Sequence, residues 1–270
     1  MRQYQQLYQS TRDNLLQKQE VHEQDQYGLA VYATWSLSFS KLDPSAQSFL
    51  QICSILHHTG ISEEMFKNAA LSEGQLEDLD IRNEVAWLLN QLGKQGSEWN
   101  PLVFQGVIRQ LTSHSLINFD QQNKFYSIHP LVQHWTHTTI DKSRQFMQKC
   151  ILTIIGSSVS SKFKTEDFKY RHTLLQHITK CMTLLGPDNI GLSVPPSIAL
   201  VYHEQGHWRE AEELGVAIME KRRQLLGDDH PDTLKSMEYL LCIYRDQGRL
   251  VDAEVLEALV IETRNAMFGA

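Results

Sequence analysis

Apolar side chains recur at helical spacing along most of this chain. The clearest run is Ser45–Leu56, and Asp43 and Pro44 before it are favoured residues at the N-cap and first position of a helix. The inner face predicted for this helix consists of Phe49, Leu50, Ile52, Cys53 and Leu56. Similar patterns predict a helix that begins after Ser62 and further helices over residues 83–92 and 101–114. The fold predicted from these patterns is mainly α-helical.

Further along the chain the apolar period changes from helical spacing to alternation. Ser115–Asp120 and Lys124–His129 alternate as two short strands around Gln121-Gln122-Asn123, which predicts a β-hairpin. Another helix is predicted from Pro130 to Ile140. Helices followed by a hairpin form the plan of a winged helix, and we assign this module to residues 31–140.

The C-terminal part of the chain contains an internal repeat. Leu200–Gly227 and Cys242–Gly269 align at an offset of 42 residues with nine identities in 28 positions, which is well above chance. Each unit has an apolar helix, a Gln-Gly turn and a longer second helix that ends at Gly. Such a unit buries its apolar face only by stacking on neighbouring units, so an α-solenoid is predicted.

The repeated pattern Y-x-x-Q-G-x-x-x-x-A-E, followed by L-L-G-D-D-H-P-D-T, resembles tetratricopeptide repeats of the 42-residue kind found in kinesin light chains and fungal signalling proteins. We assign the repeats to residues 196–270 and a helical linker to residues 141–195, where Arg171–Leu185 is a degenerate unit and Gly156–Thr165 a flexible joint. About two and a half units are present, so we expect the array to continue in a longer parent protein.

Three further segments resemble the region that follows the nucleotide-binding core in NB-ARC or STAND proteins. They are T-W-S-L-S-F-S-K-L at Thr34–Leu42, A-Q-S-F-L-Q-I-C-S-I-L at Ala46–Leu56 and G-I-S-E-E-M-F at Gly60–Phe66. The wing and the helix after it match at Leu116–Trp135. A winged helix followed by such repeats is most similar to fungal NLR-like proteins, and residues 1–30 would then be the tail of the preceding helical or ATPase region.

The resemblance implies a role for one histidine. In that family a Met-His-Asp-type motif ends the wing, and its histidine contacts the β-phosphate of bound ADP in the resting state. The matching residues here are Ile128-His129-Pro130, so the histidine is retained and the acidic residue is replaced. The alternative for His129 is a structural one, in which the ring caps the junction between hairpin and helix through a backbone hydrogen bond.

The motifs of a nucleotide-hydrolysing enzyme are missing. A phosphate-binding loop has the pattern G-x-x-x-x-G-K-[ST], whereas Gly93-Lys94 is followed by Gln95 and lacks the upstream glycine. No apolar strand ends in Asp-Asp or Asp-Glu to bind magnesium. We therefore expect no catalytic residue, metal site or cofactor in this chain, and ADP or ATP would bind only together with a nucleotide-binding core outside it.

Charge and hydropathy restrict the partners. With 25 basic and 32 acidic residues the formal net charge is −7, and the helix before the hairpin has one permanent cation, Arg109, which argues against nucleic acid. No apolar run is long enough to span a membrane, and the N-terminus lacks the apolar core of a signal peptide. The four cysteines are far apart, which indicates buried, reduced thiols in a cytoplasmic protein.

The function expected from these observations is that of a regulatory and protein-interaction segment of an NLR-like signalling ATPase. The partners would be a protein or peptide in the groove of the repeats and the ATPase core of the parent. The candidate groove residues are Tyr202, His203, Tyr244 and Arg245. Two alternatives stay open, a free-standing repeat scaffold that binds a protein and a winged-helix regulator that binds DNA.

Overall fold

The computed structural model describes residues 26–72, 78–140, 142–160, 167–186, 189–190 and 194–268. These residues are mainly helical, with two small antiparallel sheets and paired helices at the C-terminal end, which confirms the predicted fold class. Within them, no helix is both long and apolar enough to cross a bilayer.

The described residues form two compact units. The first takes its residues from the ranges 26–62, 91–93 and 100–140, and the second from 63–90, 94–99 and 142–268. In chain order the elements are α1 (Gln26–Ser40), α2 (Pro44–Ile55), α3 (Glu63–Leu71), α4 (Leu79–Leu92), β1 (Lys94–Gln95), β2 (Glu98–Trp99), α5 (Pro101–Ser113), β3 (Ile117–Asp120), β4 (Phe125–Ile128), α6 (Pro130–His137), α7 (Arg144–Ser157), α8 (Phe168–Leu185), α9 (Ser197–Glu204), α10 (Trp208–Leu226), α11 (Pro231–Asp246) and α12 (Leu250–Phe268).

Helix α2 is the centre of the first unit, where it packs against α5 and α6. Its predicted start is confirmed, because the Asp43 carboxylate accepts a hydrogen bond of 2.8 Å from the Ala46 amide and Pro44 follows the cap. Phe49 of α2 meets Phe104 of α5 edge to face, with ring centroids 5.4 Å apart. The apolar face read from the sequence is therefore the core of this unit.

The predicted hairpin is present and slightly shorter than expected. Strands β3 and β4 pair antiparallel from Ile117↔Ile128 to Asp120↔Phe125. Asp120 closes the loop by accepting hydrogen bonds from the Asn123 side chain at 2.7 Å and the Gln122 amide at 2.9 Å, and these bonds hold the pKa of its carboxyl below the usual value. The loop therefore fixes the register of the two strands.

A second, smaller hairpin was not predicted. The sequence around Gly93 and Gly96 predicts only a break after the helix, whereas β1 and β2 form a two-residue ladder there. Gly96 has φ +61°, a conformation that favours glycine, so the turn is sharp enough for the strands to pair. Trp99 on β2 donates a hydrogen bond from its indole to the Glu63 carboxylate at 2.8 Å, which fixes the hairpin to the start of α3.

The second unit is built from successive helix pairs. Helix α7 packs on α8, α9 on α10 and α11 on α12, and α10 packs on α11 as well as on α9. Helix α8 ends at Gly186 with φ 76° and α10 ends at Gly227 with φ 95°, and both glycines cap their helix with a backbone N–H. The prediction that the second helix of a repeat is the longer one and ends at Gly is confirmed for α10, which spans Trp208–Leu226 and is capped by Gly227.

The prediction of a flexible joint from Gly156 to Thr165 is wrong at its start. Gly156 is a buried residue inside α7, its carbonyl accepts a hydrogen bond from the Ser197 hydroxyl at 2.8 Å, and Pro195 lies directly over its Cα. Residues 161–166, in the rest of that joint, lie outside the described residues. The glycine is present because the close contact leaves no room for a side chain.

The cysteine prediction holds for three thiols and fails for the fourth. Cys53, Cys150 and Cys181 are buried thiols, and burial raises the pKa values of Cys150 and Cys181 to about 12. Cys242 is exposed on α11 instead of buried, because it lies on the side of this helix that faces away from the core of the repeat.

Gly156→Ala should destabilise the protein although Ala is the better helix former. The added Cβ would lie 2.5 Å from Cγ and 2.6 Å from Cβ of Pro195, so we expect the free energy of unfolding to fall by about 1–3 kcal/mol. The matched control is Gly106→Ala in α5, where nothing lies within 4 Å of the added Cβ and stability should rise by about 0.5–1 kcal/mol. Urea unfolding measures both, and equal effects would contradict the contact with Pro195.

Candidate functional site

The turns inside the two repeats have the same geometry. Gly206 and Gly248 adopt φ values of 82° and 74°, so both are left-handed. In each turn the residue after the glycine donates its N–H to the tyrosine carbonyl, His207 to Tyr202 and Arg249 to Tyr244, both at 2.9 Å. The Y-x-x-Q-G pattern is therefore a turn motif, and its tyrosine carbonyl is one of the acceptors that close the turn.

The two predicted groove tyrosines do not present open surface. Tyr202 is 6% exposed, burial raises the pKa of its phenol, and its ring meets His207 edge to face at 5.9 Å. Tyr244 is half-buried, and the guanidinium of Arg249 covers its ring at 4.4 Å from the centroid. Their spacing reflects the turn, so the structure places both side chains in packing positions.

Of the other two predicted groove residues, Arg245 is exposed and His203 is largely buried. His203 on α9 has its Nδ1 3.7 Å from an Asp246 carboxylate oxygen on α11, and α9 and α11 are neighbours. Arg245 on α11 is exposed and forms an ion pair of 2.7 Å with Glu257 of α12. We call the surface formed by His203, Lys235, Cys242, Arg245 and Asp246 the first-helix face.

The first-helix face offers charges of both signs. Lys235 and Arg245 supply cations and Asp246 supplies a carboxylate, whereas the His203 side chain is only 12% exposed. The Cys242 thiol has a raised pKa, first because of partial burial and second because of Asp246, so it is protonated near neutral pH. The chemistry of this face is that of polar binding, with no activated nucleophile in it.

A buried ion pair next to this face was not found from the sequence. Arg171 of α8 is fully buried, and its guanidinium contacts the Glu204 carboxylate of α9 with two nitrogens, one of them at 2.5 Å. Asp167 lies 3.8 Å from a third nitrogen of the same guanidinium. Arg171 and Glu204 are 33 residues apart in the chain and lie on different helices, so no periodic pattern in the sequence links them.

His129 caps helix α6. Its Nδ1 accepts a hydrogen bond of 3.2 Å from the Leu131 amide, and Pro130 occupies the first helical position. His230 caps α11 in the same way, with Pro231 after it and a bond of 3.2 Å from the Asp232 amide. The structural alternative considered for His129 is therefore present, and the same His-Pro cap occurs in the repeats, where no nucleotide role is expected.

A shallow depression of about 580 Å³ lies between α4 and the start of α7. Its lining residues are Asp80, Asn83, Glu84, Lys142, Ser143 and Phe146. Lys142 forms an ion pair with Glu84 and also lies 5.6 Å from the centroid of the Trp87 ring. Throughout the described ranges, no three His, Cys, Asp or Glu side chains are grouped as metal ligands.

Comparison with known families gives two matches. Residues 196–266 match the family model described as tetratricopeptide repeat. The chain contains tetratricopeptide repeats. The matched residues contain the helices α9 to α12, within the range predicted for the repeats. Tetratricopeptide repeats generally bind protein partners. Residues 37–145 match a second family model, described as a domain of unknown function (DUF7779). Comparison with curated proteins and with solved structures found no match.

Glu204→Gln should destabilise the repeats, because it leaves the buried Arg171 guanidinium without its bidentate carboxylate. Glu204 is partly exposed, so we expect a loss of about 2 kcal/mol in the free energy of unfolding, less than for a fully buried pair. The control is Glu213→Gln, which removes the carboxylate from the exposed pair with Arg209 and should leave the midpoint of urea unfolding unchanged. Equal midpoints for both variants would contradict a structural role of the Arg171 pair.

Proposed function

We propose that this chain is a non-catalytic regulatory and protein-interaction segment of an NLR-like signalling ATPase. The tetratricopeptide repeats support the interaction role. The nucleotide-controlled context rests on the resemblance of Thr34–Leu42, Ala46–Leu56 and Leu116–Trp135 to NB-ARC proteins. In this proposal the hairpin and its helices act as the winged helix that packs on the ATPase core of a parent protein, and the protein works in the cytoplasm.

The observation that carries the interaction role is the neighbouring placement of the first helices α9 and α11. The second helices α10 and α12 cover one side of them, and among the described residues Lys235, Arg245 and Asp246 are exposed on another side of α11. That side is the first-helix face, which is polar and of mixed charge. Lys235 favours a segment of a partner protein that places a carboxylate opposite it, and Arg245, already paired with Glu257, adds positive charge to the same face. Such charge pairs across an interface contribute more to specificity than to affinity.

In the proposed nucleotide role, His129 contributes a hydrogen-bond donor. Its Nδ1 accepts a hydrogen bond from the Leu131 amide, so the neutral ring carries its proton on Nε2. His129 is exposed, which leaves this N–H for a phosphate oxygen of ADP held by the parent's core. The cap therefore sets the tautomer that a phosphate contact needs, and one side chain serves both roles.

The free-standing scaffold is the second candidate, and one observation favours it. His230 caps α11 in the same way as His129 caps α6, although the repeats are not expected to bind a nucleotide. Capping alone therefore accounts for a His-Pro pair before a helix. In that case the repeats bind their partner without nucleotide control.

The first-helix face is tested with a photo-crosslinking residue in place of Lys235. Cells that express this variant should yield a covalent adduct with the partner, and the control, the same residue in place of Lys221 on α10, should yield much less.

With the partner identified in this way, Lys235→Ala with Arg245→Ala should weaken its affinity about tenfold, since a few residues carry most of the binding energy. Equal adducts at positions 235 and 221 would argue against this face.

The role of His129 is tested in a protein that joins this chain to an intact ATPase core. His129→Ala removes both cap and ring and should lower the free energy of unfolding by about 1 kcal/mol, whereas His129→Asn keeps the cap and removes only the Nε2 donor. If His129 contacts ADP, both variants should speed ADP release about tenfold, the effect of losing one hydrogen bond to a charged group. His230→Asn is the matched control. If the rate of ADP release from the His129→Asn protein is unchanged, His129 acts only as a helix cap, and the free-standing scaffold is favoured.

A further inference from the structure

The last helix of the repeats, α12, is apolar on two opposite sides. Ala253, Leu256 and Val260 are buried against α11 in the core of the repeat. On the opposite side Val251 is 73% exposed and Val255 is 68% exposed. Leu250, 60% exposed, borders them. We call the surface formed by Leu250, Val251 and Val255 the outer face of α12.

The internal repeat shows that the fold does not require these valines. At the offset of 42 residues, Val251 and Val255 correspond to Arg209 and Glu213 of α10. Arg209 and Glu213 form a surface ion pair with 2.8 Å between Arg209 Nε and Glu213 Oε1, and their side chains are 87% and 63% exposed. The second helix of a repeat is therefore stable with charges at these positions. Exposed apolar side chains in a row indicate a surface for binding.

The charges around the outer face indicate what kind of surface would cover it. Glu254 and Glu262 are exposed on the same side of α12, and among the described residues neither has an ion-pair partner. Asp252 is already paired with Arg249, and Glu257 with Arg245. A second copy of this face would place carboxylates against carboxylates, which is unfavourable, so the complementary surface is basic.

The spacing of the apolar residues indicates the shape of the partner. Val251 and Val255 lie one helical turn apart and Leu250 directly precedes them, so the three form a short apolar stripe along the first turns of the helix. Such a stripe matches the apolar face of another helix lying along it. We propose that the outer face of α12 binds an amphipathic helix of a partner protein, with basic residues on either side of its apolar stripe. This surface shares no residue with the first-helix face.

The proposal is tested with a synthetic amphipathic helix that has leucines on one side and lysines flanking them, labelled for fluorescence anisotropy. Val251→Arg with Val255→Glu gives α12 the ion pair that α10 has at the same positions, so the fold should be kept. We expect this variant to bind the peptide at least tenfold more weakly than the wild type, because the apolar contact is lost. Lys235→Ala with Arg245→Ala should leave the affinity unchanged, which separates this surface from the proposed partner groove.

Charge reversal supplies the second measurement. Glu254→Lys with Glu262→Lys should shift the preference from the lysine-flanked peptide to a glutamate-flanked peptide with the same leucines. Glu210→Lys with Glu220→Lys on α10 changes the net charge equally and should not shift it. Equal peptide binding by the wild type and the Val251→Arg, Val255→Glu protein would overturn the proposal. So would a wild-type dimer in sedimentation that the same variant dissociates, because the occupant would then be a second copy.

Discussion

The repeat helices have apolar side chains on more than one side, and only stacking can bury them. Helix α10 shows the constraint most clearly, since it packs on α9 and α11. Gly215 on α10 has no side chain, and a Cβ there would lie 3.2 Å from a Leu240 methyl and 3.6 Å from an Ile243 methyl. The two repeats therefore approach so closely here that even an alanine would require the Leu240 side chain to shift by a few tenths of an ångström. The turns, caps and ion pairs of this unit add to the stability that this contact between helices provides.

Stacking brings the helices together, and polar contacts at their ends set the register. Arg171 with Glu204 joins α8 to α9, His203 lies near Asp246 between α9 and α11, and Arg249 joins Glu212 to the following turn. These side chains lie at or near the Gln-Gly turns, where the apolar faces end. Because each pair joins two different elements, a shift of one helix along another would separate several pairs at once. The same residues border the first-helix face, so the register also fixes the positions of the charges that a partner would meet.

Much of the fold was predictable because it depends on local patterns. The start of α2 depends on Asp43 and Pro44, the hairpin on alternation, and the helices of the repeats on an internal offset that any alignment of the chain with itself reveals. The candidate site was predicted less well. Tyr202 and Tyr244 recur because they pack in a turn, and recurrence alone does not separate packing from binding. Arg171 and Glu204 carry no pattern, since their contact arises only when α8 and α9 meet.

The same limit explains the error at Gly156. Glycine next to serines and lysines is typical of linkers, and nothing local indicates that Pro195, far along the chain, will lie over it. The contact has an evolutionary consequence. In relatives of this protein, the volumes of the residues at positions 156 and 195 should vary together, because a larger residue at the first position is tolerated only with a smaller or displaced one at the second. Each residue alone would look variable, and only their joint distribution would reveal that two distant parts of the chain share one space.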